Sequence, residues 1–149
     1  MDMISTETIR RHVLGAHARL RDRSALLTRD ALESARESGH LRGLIVELFA
    51  ILGECDVLEE RELVPLLSDV DAWGPARVER LRECHARHKN ALAVLARELV
   101  CGPPVPADVV ERFEQIIGAL LQDLDEEEVE LREAEELEDL PVVSEQTSG

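Results

Sequence analysis

Seven side chains with the chemistry of metal ligands fall on the inward stripes of long helical patterns: His17, Cys55, Glu59, His85, His88, Asp123 and Glu127. Cys55 and Glu59 are four residues apart, as are Asp123 and Glu127, so each pair projects from one face of a helix. His85 and His88 are consecutive members of one stripe. The face that carries Glu59 is otherwise Leu41, Leu44, Leu48, Ile51 and Leu52. A carboxylate stranded on such a face costs about 3–5 kcal/mol. Glu59 therefore coordinates an ion, pairs with another side chain, or twists out to solvent. Imidazole nitrogens, carboxylate oxygens and one thiolate are the donor set of a transition-metal site. Helix bundles hold di-iron and di-manganese centres on such carboxylates.

Each residue also has a plainer reading. His17 taken alone is a satisfied core histidine, and Cys55 a small core residue. His88 could pair with Glu59 or Glu127 instead of binding metal. Asp123 and Glu127 could open a solvated acidic face. In an alternative register Asp56 and Glu60 place their carboxylates at the bundle edge. Cys84 and Cys101 read as structural or surface thiols. The sequence holds no nucleophile elbow, Gly-rich phosphate loop, CxxC or zinc-finger spacing, so catalysis by a Ser or Cys triad has no support.

The elements that must position these residues are helices. Ser5 or Thr6 caps the first, with Glu7 in its first turn, and the pattern runs to about Ser38, where Ser-Gly breaks it. Its seam is Val13, His17, Leu20, Ser24, Leu27 and Ala31, with a weak place at Thr28 to Asp30. The second helix runs from about His40 to Leu67, kinked or ended by Pro65, with Leu63 and Leu66 resuming its apolar face. Gly74-Pro75 opens the third, whose stripe is Val78, Leu81, His85, His88, Leu92, Leu95 and Leu99. A Pro-rich connection leads to the fourth, which starts near Pro106. Its seam is Val109, Phe113, Ile116, Ile117, Leu120, Leu124, Glu127, Leu131 and Ala134. The expected fold is all-α, an antiparallel up-down-up-down four-helix bundle over residues 1–140, with 141–149 a disordered tail.

In such a bundle, residues equidistant from a turn lie at one height. From the turn near Gly39, His17 is about 20 residues back and Glu59 about 19 forward, at about 1.5 Å of axis each. From the Ser68–Gly74 loop, Glu59 and His85 are each about 10 away, and across the Pro-rich turn His85 and Asp123 are about 16 and 17 away. The polar interruptions thus converge on one layer, to within about a helical turn.

Composition excludes several classes. Apolar residues make up 44% and aromatics 2%, so the core is Leu, Val, Ile and Ala, a helical composition. Net charge is −15, with 17 acids against 15 bases up to Val105 and 15 against 2 beyond it. That balance opposes nucleic acid and anionic membrane as partners. No apolar run has membrane-spanning length, and no signal-peptide core opens the chain. Three cysteines without framework spacing fit reduced thiols in a cytoplasmic protein.

On these residues the chain resembles the hemerythrin-like (HHE cation-binding) family. The carriers are H-A-R-L-R from His17, E-E-R-E-L-V-P-L-L from Glu59, E-C-H ending at His85, and D-E-E-E-V-E-L from Asp125, and the likeness spans roughly residues 5–140. The family's second and fourth helices carry His-x-x-x-Glu or a close variant. Cys55 and Asp123 stand where the two histidines would be, while Glu59 and Glu127 keep the glutamates. The resemblance implies metal ligation by His17, Glu59, His85 and Glu127, with Cys55 and Asp123 carried over by position and His88 tuning the shell. It implies a non-haem, usually di-iron, centre used to bind oxygen, to sense oxygen, redox state or iron, or to handle iron. The two replacements point toward manganese-tolerant, ferritin-like chemistry on one side and zinc-preferring or redox-active chemistry on the other. The competing expectation is a metal-free bundle that meets a basic protein partner through its acidic fourth helix.

Overall fold

The computed structural model describes residues 4–100 and 105–138, and all regular structure among them is helical. The expected tail at 141–149 and Cys101 lie outside the described residues.

Helix α1 (Thr6–Ala25) begins where Ser5 accepts a hydrogen bond from the Thr8 N–H, with Glu7 in its first turn. The first helix does not run on to Ser38. Thr28 turns its hydroxyl onto the Ala31 N–H and starts a new helix, α2 (Arg29–Ser38), with Asp30 in its first turn. The break shifts the buried stripe from the expected Ala31 to Leu32 and Ala35. Gly39 ends α2 at φ 81°, a left-handed conformation that favours glycine, and the His40 N–H closes onto the Ala35 carbonyl.

Helix α3 (Leu41–Leu58) passes into a π-helical turn (Glu59–Leu63) and then α4 (Val64–Val70). The Val64 N–H reaches back five residues to the Glu59 carbonyl. Pro65 was expected to kink or end the helix. The chain instead widens over the turn before it, and the helix continues to Val70. The extra residue turns the following stripe: Leu67 is buried at 1% exposure, while the expected Leu66 is half-buried.

Gly74 opens α5 (Gly74–Glu98) hard against α4: a Cβ there would sit 2.3 Å from the Leu67 carbonyl oxygen. Helix α6 is Val109–Glu138. Contacts run from α1 to α3, from α3 to α5, from α5 to α6, and from α6 back to α1, with α2 against α3 and α6 and α4 against α5 and α6.

The core is in two parts. One apolar cluster gathers Leu20, Leu48, Leu52, Leu92, Phe113 and Leu120 with their neighbours. The other gathers Val13, Leu63, Leu67, Leu81 and Leu131 with theirs. Burying each Leu is worth roughly 1.5–3 kcal/mol. On every one of the long helices the side chains between the clusters are polar: His17 on α1, Asp56 on α3 and Glu59 just past it, His85 and His88 on α5, and Glu127 on α6.

Candidate metal centre

Glu59 is the hub of that layer. It is fully buried at the first residue of the π turn. One carboxylate oxygen, Oε1, lies 2.6 Å from His17 Nε2 and the other, Oε2, 2.6 Å from His85 Nε2. Glu127, from α6, repeats the arrangement from the opposite side. Its Oε2 is 3.1 Å from His17 Nε2 and its Oε1 3.4 Å from His85 Nε2. Two carboxylates thus span the same two imidazole nitrogens. The Cys55 sulfur stands 3.5 Å from Glu59 Oε1.

The far nitrogens are also held. His17 Nδ1 is 3.2 Å from Glu128 Oε2, and Arg21 braces Glu128. His85 Nδ1 is 3.4 Å from Asp56 Oδ1, and Lys89 lies 3.6 Å from Asp56 Oδ2. Each imidazole therefore turns Nε2 inward and Nδ1 onto a carboxylate backed by a cation. That pattern fixes ring orientation and tautomer in metal sites.

His17, Cys55 and Glu59 can bring one ligand atom each to within 4.8 Å of the others, and so can Asp56, Glu59 and His85. Glu59 belongs to both triads. Four buried oxygens of this layer lack a hydrogen bond: Asp56 Oδ1 and Oδ2, Glu59 Oε2 and Glu127 Oε2. Glu59 Oε2 and Glu127 Oε2 each face an imidazole nitrogen without hydrogen-bond alignment. Two donors about 2.1 Å from one ion and at right angles to each other sit about 3 Å apart. The nitrogen–oxygen separations here, 2.6 to 3.4 Å, bracket that value. Each of the two triads could hold a metal ion.

Charge follows the same design. Burial works against a charged His17, but the polar neighbours Cys55, Glu127 and Glu59 overcome it and push its pKa up to about 12. His85 goes up to about 10 against the same burial, through Glu127, Glu59 and Asp56. Burial would raise Glu59, yet the two imidazoles beside it bring it down to about 2. Burial pushes the Cys55 thiol up to about 12, with the negative charge of Glu59 and Glu127 adding to it and His17 opposing. Asp56 rises to about 6, chiefly through burial. Without metal, imidazolium protons supply the positive charge at this layer.

Five of the seven sequence-expected residues come together: His17, Cys55, Glu59, His85 and Glu127. His88 and Asp123 pair with each other instead, on the α5–α6 side. His88 therefore does not take Glu59 or Glu127 as its pair. Asp56, read from the sequence only in an edge register with Glu60, is buried inside the layer, while Glu60 stays at the surface on Arg82. The signal for Asp56 was its three-residue spacing from Glu59, which also shares a helix face. Glu128 was missed because it stands in an unbroken acidic run. Another buried carboxylate, Glu62, pairs with the half-exposed His12 at 2.6 Å. A fissure of about 200 Å³ between α5 and α6, lined by Cys84, Arg87, Asp123 and Glu126, reaches Glu127.

Compared with protein families, with curated proteins and with solved structures, the chain matches none. No helix among the described residues is long and apolar enough to cross a membrane.

Proposed function

We propose that the chain is a hemerythrin-like protein, an antiparallel up-down-up-down four-helix bundle whose polar layer holds a dinuclear non-haem metal centre. Iron is the first choice, with manganese or zinc as alternatives. The role is sensing of oxygen, redox state or iron, or the handling of iron. One observation carries this reading: Glu59 and Glu127 each set one oxygen toward His17 Nε2 and the other toward His85 Nε2. The two glutamates and the two histidines would hold two neighbouring cations, as carboxylate and imidazole sets on facing helices do in helix bundles.

A bound iron pair would supply reversible one-electron chemistry and positions open to a small oxidant. The protein does the rest. His17 and Glu59 lie out of solvent, and the α5–α6 fissure reaches the layer at Glu127. Glu128, braced by Arg21, holds the His17 ring in place, and Asp56, with Lys89 beside it, lies against the His85 ring as a further candidate donor. Cys55 supplies the one sulfur where the family resemblance expects a histidine. Asp123, the other replaced position, stands outside the layer on His88.

The metal-free alternative, an interaction module working through the acidic last helix, has less to support it. Arg10, Arg21, Arg29 and Arg80 from other helices already engage Glu135, Asp125, Glu114 and Glu130 of α6. Metal analysis and anaerobic iron loading test the proposal. About two equivalents are expected per chain, with a rise in unfolding free energy of about 2.7 kcal/mol at free metal a hundredfold above Kd. Glu59→Ala and Glu127→Ala should each abolish the second equivalent. A chain that binds no iron, manganese or zinc and gains no stability from them would refute it.

A further inference from the structure

The two halves of the polar layer are built alike up to one donor. His17 and His85 each face Glu59 and Glu127 through Nε2. In the His17 half the remaining buried donor is the Cys55 sulfur, 3.5 Å from Glu59 Oε1. In the His85 half it is Asp56, whose two buried oxygens have no hydrogen bond. These are different kinds of ligand. Thiolate selects zinc-like and other thiophilic or borderline ions, whereas carboxylate surroundings suit manganese and magnesium. Charge separates the halves further. The Lys89 ammonium, 3.6 Å from Asp56 Oδ2, opposes a cation in the Asp56 half.

Resting on the metal-binding reading above, we infer that the centre is unequal by construction: the Cys55 half takes a zinc- or cobalt-like ion and fills first, and the Asp56 half takes an oxygen-preferring ion such as manganese. Binding of the first ion forms metal–sulfur and metal–nitrogen bonds and sends the Cys55 thiol proton and the His17 Nε2 proton to solvent, with no change of oxidation state. Glu59, common to both triads, is the link between the halves.

Cobalt(II) titration of the metal-free chain tests this by absorption, with metal analysis alongside. The first equivalent should carry the whole near-ultraviolet thiolate-to-cobalt band, and the second should add none. Cys55→Ser should abolish the band and weaken the first site at least tenfold, and the protein should still bind two equivalents. One equivalent of zinc followed by one of manganese should give a chain holding one of each, and Asp56→Asn should lose the manganese alone. A band that grows evenly through both equivalents, or two equivalents bound with no band at all, overturns the inequality and leaves the metal-binding reading standing. Failure of cobalt, zinc and manganese to bind while iron does overturns the inequality alone, and failure of all four overturns both.

Discussion

His17, His85 and Glu59 set how the metal-free protein answers to pH. The two histidines have folded pKa values of about 12 and about 10, above the ordinary 6.5. Their contribution is complete below pH 6.5 and is lost as pH rises through those values. Glu59 is depressed to about 2 from 4.5, so its contribution is complete above pH 4.5 and is lost as pH falls toward 2. Asp56 runs the other way: raised from 3.8 to about 6, it favours folding below 3.8 and loses that contribution as pH rises through 6. Urea unfolding of the metal-free chain should therefore show greatest stability between about pH 4.5 and 6.5 and a fall above it. In His17→Gln that fall should be shallower. Metal must displace the imidazolium protons, so apparent metal affinity should climb with pH across the same range. Height arithmetic along the sequence found Glu59 its partners but could not exclude His88 and Asp123. One helical turn is about 5.4 Å, more than twice a metal–ligand bond, so a neighbour one turn away passes the same test. Asp56, three residues before Glu59, carries a weaker signal. A stripe drawn through Cys55 leaves Asp56 at its margin, and here Cys55 and Asp56 are both inside.

The helices themselves were legible because their stripes are long and the residues between them polar. On α6 every expected seam residue but Ile116 is buried. The π turn was not legible. Pro65 announced a disturbance, and the sequence does not say whether it appears as a kink or as a widened turn upstream. Packing decides that: the wide turn lets Glu59, Leu63 and Leu67 all face inward, four residues apart each time. Deleting the exposed Arg61 would restore ordinary pitch and rotate α4 by about 100° relative to Glu59. The expected result is unchanged helical content by circular dichroism, a urea midpoint well below that of the parent chain, and loss of bound metal. Unaltered stability and stoichiometry would show that the turn positions nothing. The break before α2 was half-visible, since Thr28 and Asp30 read as a weak place and became a cap.

Taken whole, the chain buries ionisable groups between two apolar clusters that could otherwise meet. Replacing His17, Glu59, His85 and Glu127 together by leucine should join the clusters and leave the protein as stable as before, or more stable by about 1–4 kcal/mol. Replacing Glu59 alone by leucine should cost about 3–5 kcal/mol, because both imidazoles lose a partner. Denaturant midpoints of the two variants, metal-free at pH 6, measure the difference. If the single change is the milder one, the four residues do not act as a unit. Their interdependence also bears on descent. Each one-residue step away from the layer leads downhill in stability, while the simultaneous change leads level or uphill. A lineage can therefore abandon the layer only in a leap, and stepwise drift holds it in place even after its use has gone.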